Sequence, residues 1–66
     1  MQVTINGEAK EVGGQLTIAG LIAELGIDPK QVAVEQNGEI VPKSTHAEAP
    51  IAEGDTLELV RFIGGG

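Results

Sequence analysis

The chain opens with a regular alternation of apolar and polar side chains. Between Met1 and Asn6, Val3 and Ile5 alternate with polar residues, and this period of two predicts a half-buried strand. Asn6-Gly7 follows, and because both residue types readily accept positive φ, we predict a tight hairpin turn there. The segment from Ala9 to Val12 is then the predicted returning strand.

The next apolar residues have the spacing of an amphipathic helix. Thr17 is suited to cap its N-terminus, and Gly26 stands where a left-handed C-terminal cap is expected. Gly20 lies inside the predicted helix at a cost of up to ~1 kcal/mol relative to alanine, which a close approach of the helix to the sheet would explain. Most members of the apolar stripe share one helix face: Leu16, Ile18, Leu21, Ile22 and Leu25.

The second half of the chain is predicted to be mainly extended. Val32 to Val34 is an apolar run typical of a central strand, Asn37-Gly38 is a second turn, and Glu39 to Val41 is a short return. Ser44 to Glu53 is expected to be irregular. The β-branched and aliphatic segment from Thr56 to Ile63 is the last predicted strand.

This order of elements predicts an α+β fold in which one helix crosses one face of a single sheet. If the first and last strands pair in the middle, they run parallel, and the result is the ubiquitin-like β-grasp, with a mixed sheet of four to five strands. Pairing order is not visible in the pattern itself. We therefore expect one domain over residues 1–63, followed by a flexible tail over residues 64–66.

Composition narrows the classes of partner. The 66 residues suffice for one domain, and 41% are apolar, which supports a small aliphatic core without a deep pocket. The formal charge of −6, with only four scattered basic residues, argues against nucleic acid and against an anionic membrane surface. No apolar run approaches the roughly 20 residues of a membrane-spanning helix. We expect a soluble cytoplasmic protein.

The side chains provide little for catalysis or metal binding. The single histidine, His46, lies in the irregular segment and is expected to be a solvated surface residue. With no cysteine, no zinc site can be assembled, and the acidic residues beside Gly54 are expected to serve a turn rather than a cation. We expect neither an enzyme nor a bound cofactor.

The three glycines at Gly64, Gly65 and Gly66 are the strongest functional signal. Glycine has no Cβ, so such a tail suits entry into a narrow channel of a partner and unhindered presentation of the Gly66 carboxylate. Attack of that carboxylate on the α-phosphate of ATP would give an acyl-adenylate, from which a sulfur or nitrogen nucleophile could take the acyl group. A partner must bind the ATP. Glycines at an end also occur as frayed termini.

The whole chain resembles the ThiS family of sulfur carriers. The resemblance lies in Val3 to Glu8, Leu16-Thr17, Leu25 to Ile27, Val32 to Val34, Asn37 to Lys43, Gly54-Asp55 and Glu58 to Gly66. The segment Asn-Gly-Glu-x-Val-Pro-Lys is the most specific part. Many relatives carry tryptophan near His46, and its replacement here affects local packing rather than the tail.

The resemblance implies a function in thiamin biosynthesis. A ThiF-type enzyme would adenylate Gly66 with ATP, a cysteine desulfurase would supply sulfur, and the resulting thiocarboxylate would donate sulfur to thiazole synthase, ThiG. The resemblance also supports the β-grasp.

The last predicted strand offers a docking surface for these partners. If Leu57 and Leu59 face the helix, Val60 and Phe62 project from the open side of the sheet near the tail. A neighbouring loop could equally cover both. Arg61 could pair with an acidic partner surface, although one exposed arginine usually contributes little.

Three other functions remain open from the sequence. A small subunit of molybdopterin synthase would share the fold and the activation chemistry, and a ubiquitin-like modifier would join Gly66 to a lysine. A simple binding module would keep its activity without Gly65 and Gly66.

Overall fold

A mixed sheet with one α-helix forms the structure, a computed structural model that describes residues 1–62. Two short 3₁₀ turns, Pro29–Gln31 and Lys43–Thr45, lie in the connections. Among the described residues no helix is long and apolar enough to cross a membrane. The strands and helix, in chain order, are β1 (Gln2–Ile5), β2 (Glu8–Glu11), α1 (Ile18–Glu24), β3 (Val32–Gln36), β4 (Glu39–Val41) and β5 (Thr56–Arg61).

The strand order β2-β1-β5-β3-β4 confirms the predicted β-grasp. The first and last strands meet in the middle of the sheet and run parallel, with Ile5 opposite Leu57. The other three pairings, β1 with β2, β3 with β4 and β3 with β5, are antiparallel. A parallel pair needs a crossover, and α1 lies within it.

Both predicted hairpin turns are confirmed by their backbone angles. Asn6 and Gly7 have φ of 50° and 84°, and Asn37 and Gly38 have φ of 53° and 87°. Two consecutive positive φ values define the turn whose twist matches that of paired strands.

The core lies between α1 and the sheet. Strand alternation turns one side of β1, β3 and β5 toward the helix, and Ile51 from the long loop joins them. The fully buried side chains are Val3, Ile18, Leu21, Ile22, Val32, Val34 and Leu57.

The helix is shorter than its apolar stripe suggests. Thr17 is the N-cap, as predicted, and its hydroxyl accepts a hydrogen bond from the Gly20 backbone N–H at 3.1 Å. Leu16 therefore precedes the helix and is half-buried, while Leu25 forms the C-cap and is exposed. The predicted left-handed residue after the helix is confirmed at Gly26, which has φ of 73°.

The expectation that Gly20 permits a close approach to the sheet is wrong. A Cβ at this position would meet Leu16 Cδ2 at 3.3 Å and Thr17 Oγ1 at 3.5 Å, and both atoms belong to the segment that leads into the helix rather than to the sheet. The tighter of these contacts is with the end of a flexible side chain.

Alanine is therefore expected to stabilise the protein at position 20 and to destabilise it at position 26. Gly20→Ala should raise the free energy of unfolding by up to ~1 kcal/mol, because Leu16 can shift and the helix loses its glycine. Gly26→Ala places a Cβ at positive φ and should lower the free energy of unfolding by about 1 kcal/mol. Urea denaturation of both variants measures the two signs, and destabilisation by Gly20→Ala would show that Leu16 cannot yield.

His46 is buried, so the prediction of a solvated histidine is wrong. Its side chain is 5% exposed, and its Nε2 lies 3.0 Å from the Val41 carbonyl oxygen. Its own carbonyl accepts a hydrogen bond from the Ala19 N–H, which lies in the first turn of α1. The loop thus folds back onto the helix, and no local sequence pattern reports this long-range packing.

Asp55 organises the turn before β5, as expected for the acidic residues beside Gly54. Its carboxylate accepts hydrogen bonds from the Ala52 N–H at 2.8 Å, Gln36 Nε2 at 2.9 Å and Asn37 Nδ2 at 3.0 Å. Burial alone would raise the pKa of Asp55, but the hydrogen bonds from Ala52, Asn37 and Gln36 outweigh it, and the pKa lies below its usual value. The charged carboxylate therefore ties β5 to the β3–β4 turn.

Candidate functional site

The end of β5 presents apolar side chains on the face of the sheet opposite the helix. Leu57 and Leu59 are 0% and 8% exposed and belong to the core, whereas Val60 and Phe62 are 57% and 48% exposed. The predicted alternation is confirmed. Within residues 1–62 no loop covers both Val60 and Phe62, so that alternative is wrong for the described part of the chain. Whether these side chains bind a partner stays a prediction.

Two sets of hydrogen bonds fix the end of β5. On one side, the Phe62 N–H donates to the Gln31 carbonyl at 2.8 Å. On the other side, the Asn6 side chain accepts from the Leu59 N–H at 2.8 Å and donates to the Leu59 carbonyl at 3.3 Å. The Asn6 side chain thereby makes the two hydrogen bonds to Leu59 that a further residue of β1 would make, because β1 ends at Ile5 and the chain turns away there. β5 is thus held on both sides as far as Leu59, and on the β3 side through Phe62.

Lys43 braces the ring of Phe62. Its Nζ donates to the Lys30 carbonyl at 2.8 Å and lies 5.8 Å from the centre of the Phe62 ring, within the range of a cation–π contact. The lysine of the most family-specific segment therefore contacts the residue that leads toward the tail.

Sequence reasoning missed the neighbours of Val60 on the open face. Ala33 lies opposite Val60, and Glu35 lies opposite both Glu58 on β5 and Ile40 on β4. Together these residues line a shallow depression of about 60 Å³. The signal was available in Glu39-Ile40-Val41, since the partly buried Val41 requires Ile40, 68% exposed, to face the other way.

The structure does not group Arg61 with Val60 and Phe62. Arg61 is exposed and pairs with Val32 in the register of β5 and β3, and strand alternation places it on the opposite side from its two neighbours. The predicted tail residues Gly64, Gly65 and Gly66, and the predicted strand end at Ile63, lie outside the described residues.

Residues 1–62 hold no cluster of three or more histidine, cysteine, aspartate or glutamate side chains that could bind a metal ion. The buried polar groups His46 and Asp55 are both engaged in hydrogen bonds within the fold. The feature that distinguishes this surface is an apolar sheet face that includes Val60 and extends to Phe62, the last described residue.

Fold and surface together define a ubiquitin-like β-grasp protein with an exposed sheet face next to its final strand. Comparison with known proteins makes the family specific. Residues 3–66 match the sequence model of the ThiS family. The chain belongs to the ThiS family.

Relatives and solved structures agree with this assignment. The chain is 40% identical over 50 residues to the sulfur carrier protein ThiS of Bacillus subtilis, an overlap of 76% of each chain. The fold is similar to the crystal structure of the thiamine biosynthesis protein ThiS from Geobacter metallireducens. The superposition covers 100% of each chain, with a TM-score of 0.86 and 30% sequence identity.

Two further relatives are much longer. The chain is 50% identical over all 66 residues to a thiazole synthase of Paramagnetospirillum magneticum and 39% identical to one of Magnetococcus marinus. It spans about a fifth of the length of each. In both relatives, a segment similar to this chain forms part of a protein named thiazole synthase.

Proposed function

We propose that this chain carries sulfur as a thiocarboxylate on Gly66 and donates it for thiazole formation in thiamin biosynthesis. The observation that supports the proposal is the match to the ThiS family model over residues 3–66, a range that includes the three glycines of the sequence. The chain acts as a carrier, and its partners catalyse the reactions.

The chemistry needs only an unhindered carboxylate at Gly66. Attack on the α-phosphate of ATP forms an acyl-adenylate and releases pyrophosphate. The persulfide of a sulfur donor then attacks the acyl carbon and displaces AMP, and a thiol reductant cleaves the resulting S–S bond, which leaves the thiocarboxylate on Gly66 and the oxidised thiol as by-product. Glycine at this carbon puts no side chain in the path of the nucleophile. A ThiF-type enzyme binds the ATP and a cysteine desulfurase supplies the sulfur, so the carrier itself needs no cofactor. Because activation consumes ATP, we place the protein in the cytoplasm.

Thiazole synthase is the proposed acceptor. The support for it is that two relatives join a segment similar to this chain to the rest of a thiazole synthase. The sheet face around Val60 and Phe62 docks the partner, because these apolar side chains are exposed and adjoin the tail. Arg61 contributes from the opposite side of β5 by contacting acidic residues of a partner.

The proposal is tested by forming the thiocarboxylate on the intact protein. The chain is incubated with ATP, a ThiF-type enzyme, a cysteine desulfurase, cysteine and a thiol reductant. After small thiols are removed, the products are alkylated with a thiol-selective reagent and analysed by mass spectrometry. Alkylation is needed because exchange of oxygen for sulfur resembles oxidation of Met1 in mass. The chain has no cysteine, so a single ATP-dependent alkylation reports the thiocarboxylate.

Failure to label the chain, with an activating enzyme shown to work on another carrier, would contradict the proposal. Conjugates of higher mass containing a lysine of another protein would instead identify a modifier.

A further inference from the structure

We infer that the open sheet face binds thiazole synthase through a basic side chain placed between Glu35 and Glu58, beside an aliphatic side chain that enters the adjoining depression. This inference rests on the function proposed above and specifies how its acceptor is recognised. Its starting point is the apolar face itself: Ile40 is 68% exposed and Val60 is 57% exposed, on strands either side of β3.

The two glutamates stand in an unfavourable arrangement within the isolated chain. Glu35 and Glu58 lie directly opposite each other in the antiparallel pairing of β3 and β5. Such neighbours have Cβ atoms about 5 Å apart, and like charges in these positions destabilise a sheet. A cation from outside would turn this repulsion into two attractions.

The described part of the chain provides no such cation. The ion pair found in residues 1–62 joins the Met1 amino group to Glu11, at 3.4 Å. Lys43 is directed to the Lys30 carbonyl and the Phe62 ring instead. The pair of carboxylates is therefore uncompensated where the structure describes it.

The same depression combines apolar and acidic lining. Its apolar part is lined by Ala33, Val34, Ile40 and Val60, and its acidic part by Glu35 and Glu58. A partner that presents an aliphatic side chain next to an arginine or lysine matches both parts at once. An arginine fits best, since its planar guanidinium can donate to two carboxylates.

The net charge of the chain favours binding of a different protein to this face over binding of a second copy of the chain. Two copies of a chain with a formal charge of −6 repel each other, and each has only four basic residues. Thiazole synthase is the partner that the long relatives place in the same chain as this fold. Its contact with the open face would hold the tail beside the enzyme that consumes the sulfur.

The test measures binding of the chain to thiazole synthase from the same organism by calorimetry at two salt concentrations. The variant is Glu35→Gln with Glu58→Gln, and the matched control is Glu24→Gln with Glu48→Gln, which changes charge equally at exposed positions of the helix and the long loop. We expect the open-face variant to weaken binding about tenfold and to flatten its salt dependence, while the control stays within about twofold of the unaltered chain.

Thermal unfolding of the same variants separates binding from folding. Removal of the like charges should leave the melting temperature of the open-face variant equal to or above that of the unaltered chain. Glu58→Lys should raise it further by pairing with Glu35, and yet should bind the synthase more weakly still. A stabilised variant with weakened binding is a result that a purely structural role cannot produce.

Three outcomes would overturn the inference. The first is that the open-face and control variants bind the synthase with equal affinity. The second is that the unaltered chain does not bind the synthase at all. The third is that the chain self-associates and that the open-face glutamine variant does so more strongly. In each case the thiocarboxylate assay decides the proposed function separately, because formation of the thiocarboxylate does not require thiazole synthase.

Discussion

Removal of Gly65 and Gly66 should abolish ATP-dependent thiocarboxylate formation while leaving the melting temperature within about 2 °C of that of the full chain. The loss is expected to be complete, because the new C-terminal carboxylate on Gly64 falls short of the nucleotide by two residues, about 7 Å of extended chain. Stability should persist because the buried core runs from Val3 to Leu59. Thiol-selective alkylation and circular dichroism on the same preparation measure the two properties.

A variant of unchanged length separates chemistry from reach. Gly66→Ala keeps the carboxylate at its position and adds a methyl group, so its labelling should fall but not vanish. Labelling of the shortened chain at the rate of the full chain would contradict the assignment of Gly66 and would point to another acyl group.

Asp55→Ala should lower the free energy of unfolding by ~2–4 kcal/mol, because three donors lose a charged acceptor that is itself buried. A domain of this size has a total stability of ~3–10 kcal/mol, so the change removes a large share. The melting temperature should fall by roughly 10–25 °C. Asp28→Ala, which removes a single exposed hydrogen bond to the Lys30 N–H, is the control and should cost at most about 1 kcal/mol.

The pKa of Asp55 adds a pH test. Its pKa in the folded protein lies below 3.8, the value expected for the unfolded chain, so its charged form stabilises the fold fully above that pH. This contribution is lost as the pH falls through the lower, folded pKa. Asp55→Asn should therefore show a smaller loss of stability between pH 5 and pH 2 than the unaltered chain. Equal acid sensitivity in both would assign the effect to other carboxylates.

The sequence predicts the elements whose signals are local. The turns at Asn6-Gly7 and Asn37-Gly38 and the cap at Thr17 depend on residues within a few positions of one another, and all three are confirmed. The exposure of Val60 and Phe62 follows from strand alternation once Leu57 is assigned to the core. Local chemistry and a period of two suffice for these features.

The features that the sequence does not predict depend on distant contacts. His46 is buried because its loop returns to the start of α1, and the Asn6 side chain pairs with Leu59 across 53 positions. Glu35 and Glu58 are ordinary solvated glutamates until the register of β3 and β5 is known. No periodic pattern encodes which strands become neighbours.

The position of β5 also determines how the protein responds to force. A partner that draws the tail into a channel pulls along the strand in the middle of the sheet, where β1 lies on one side and β3 on the other. The hydrogen bonds to both neighbours run across the direction of pull and share the load, rather than opening one after another. An edge strand would peel away under the same force. A pull on the chain end along β5 would therefore have to shear several of these hydrogen bonds at once.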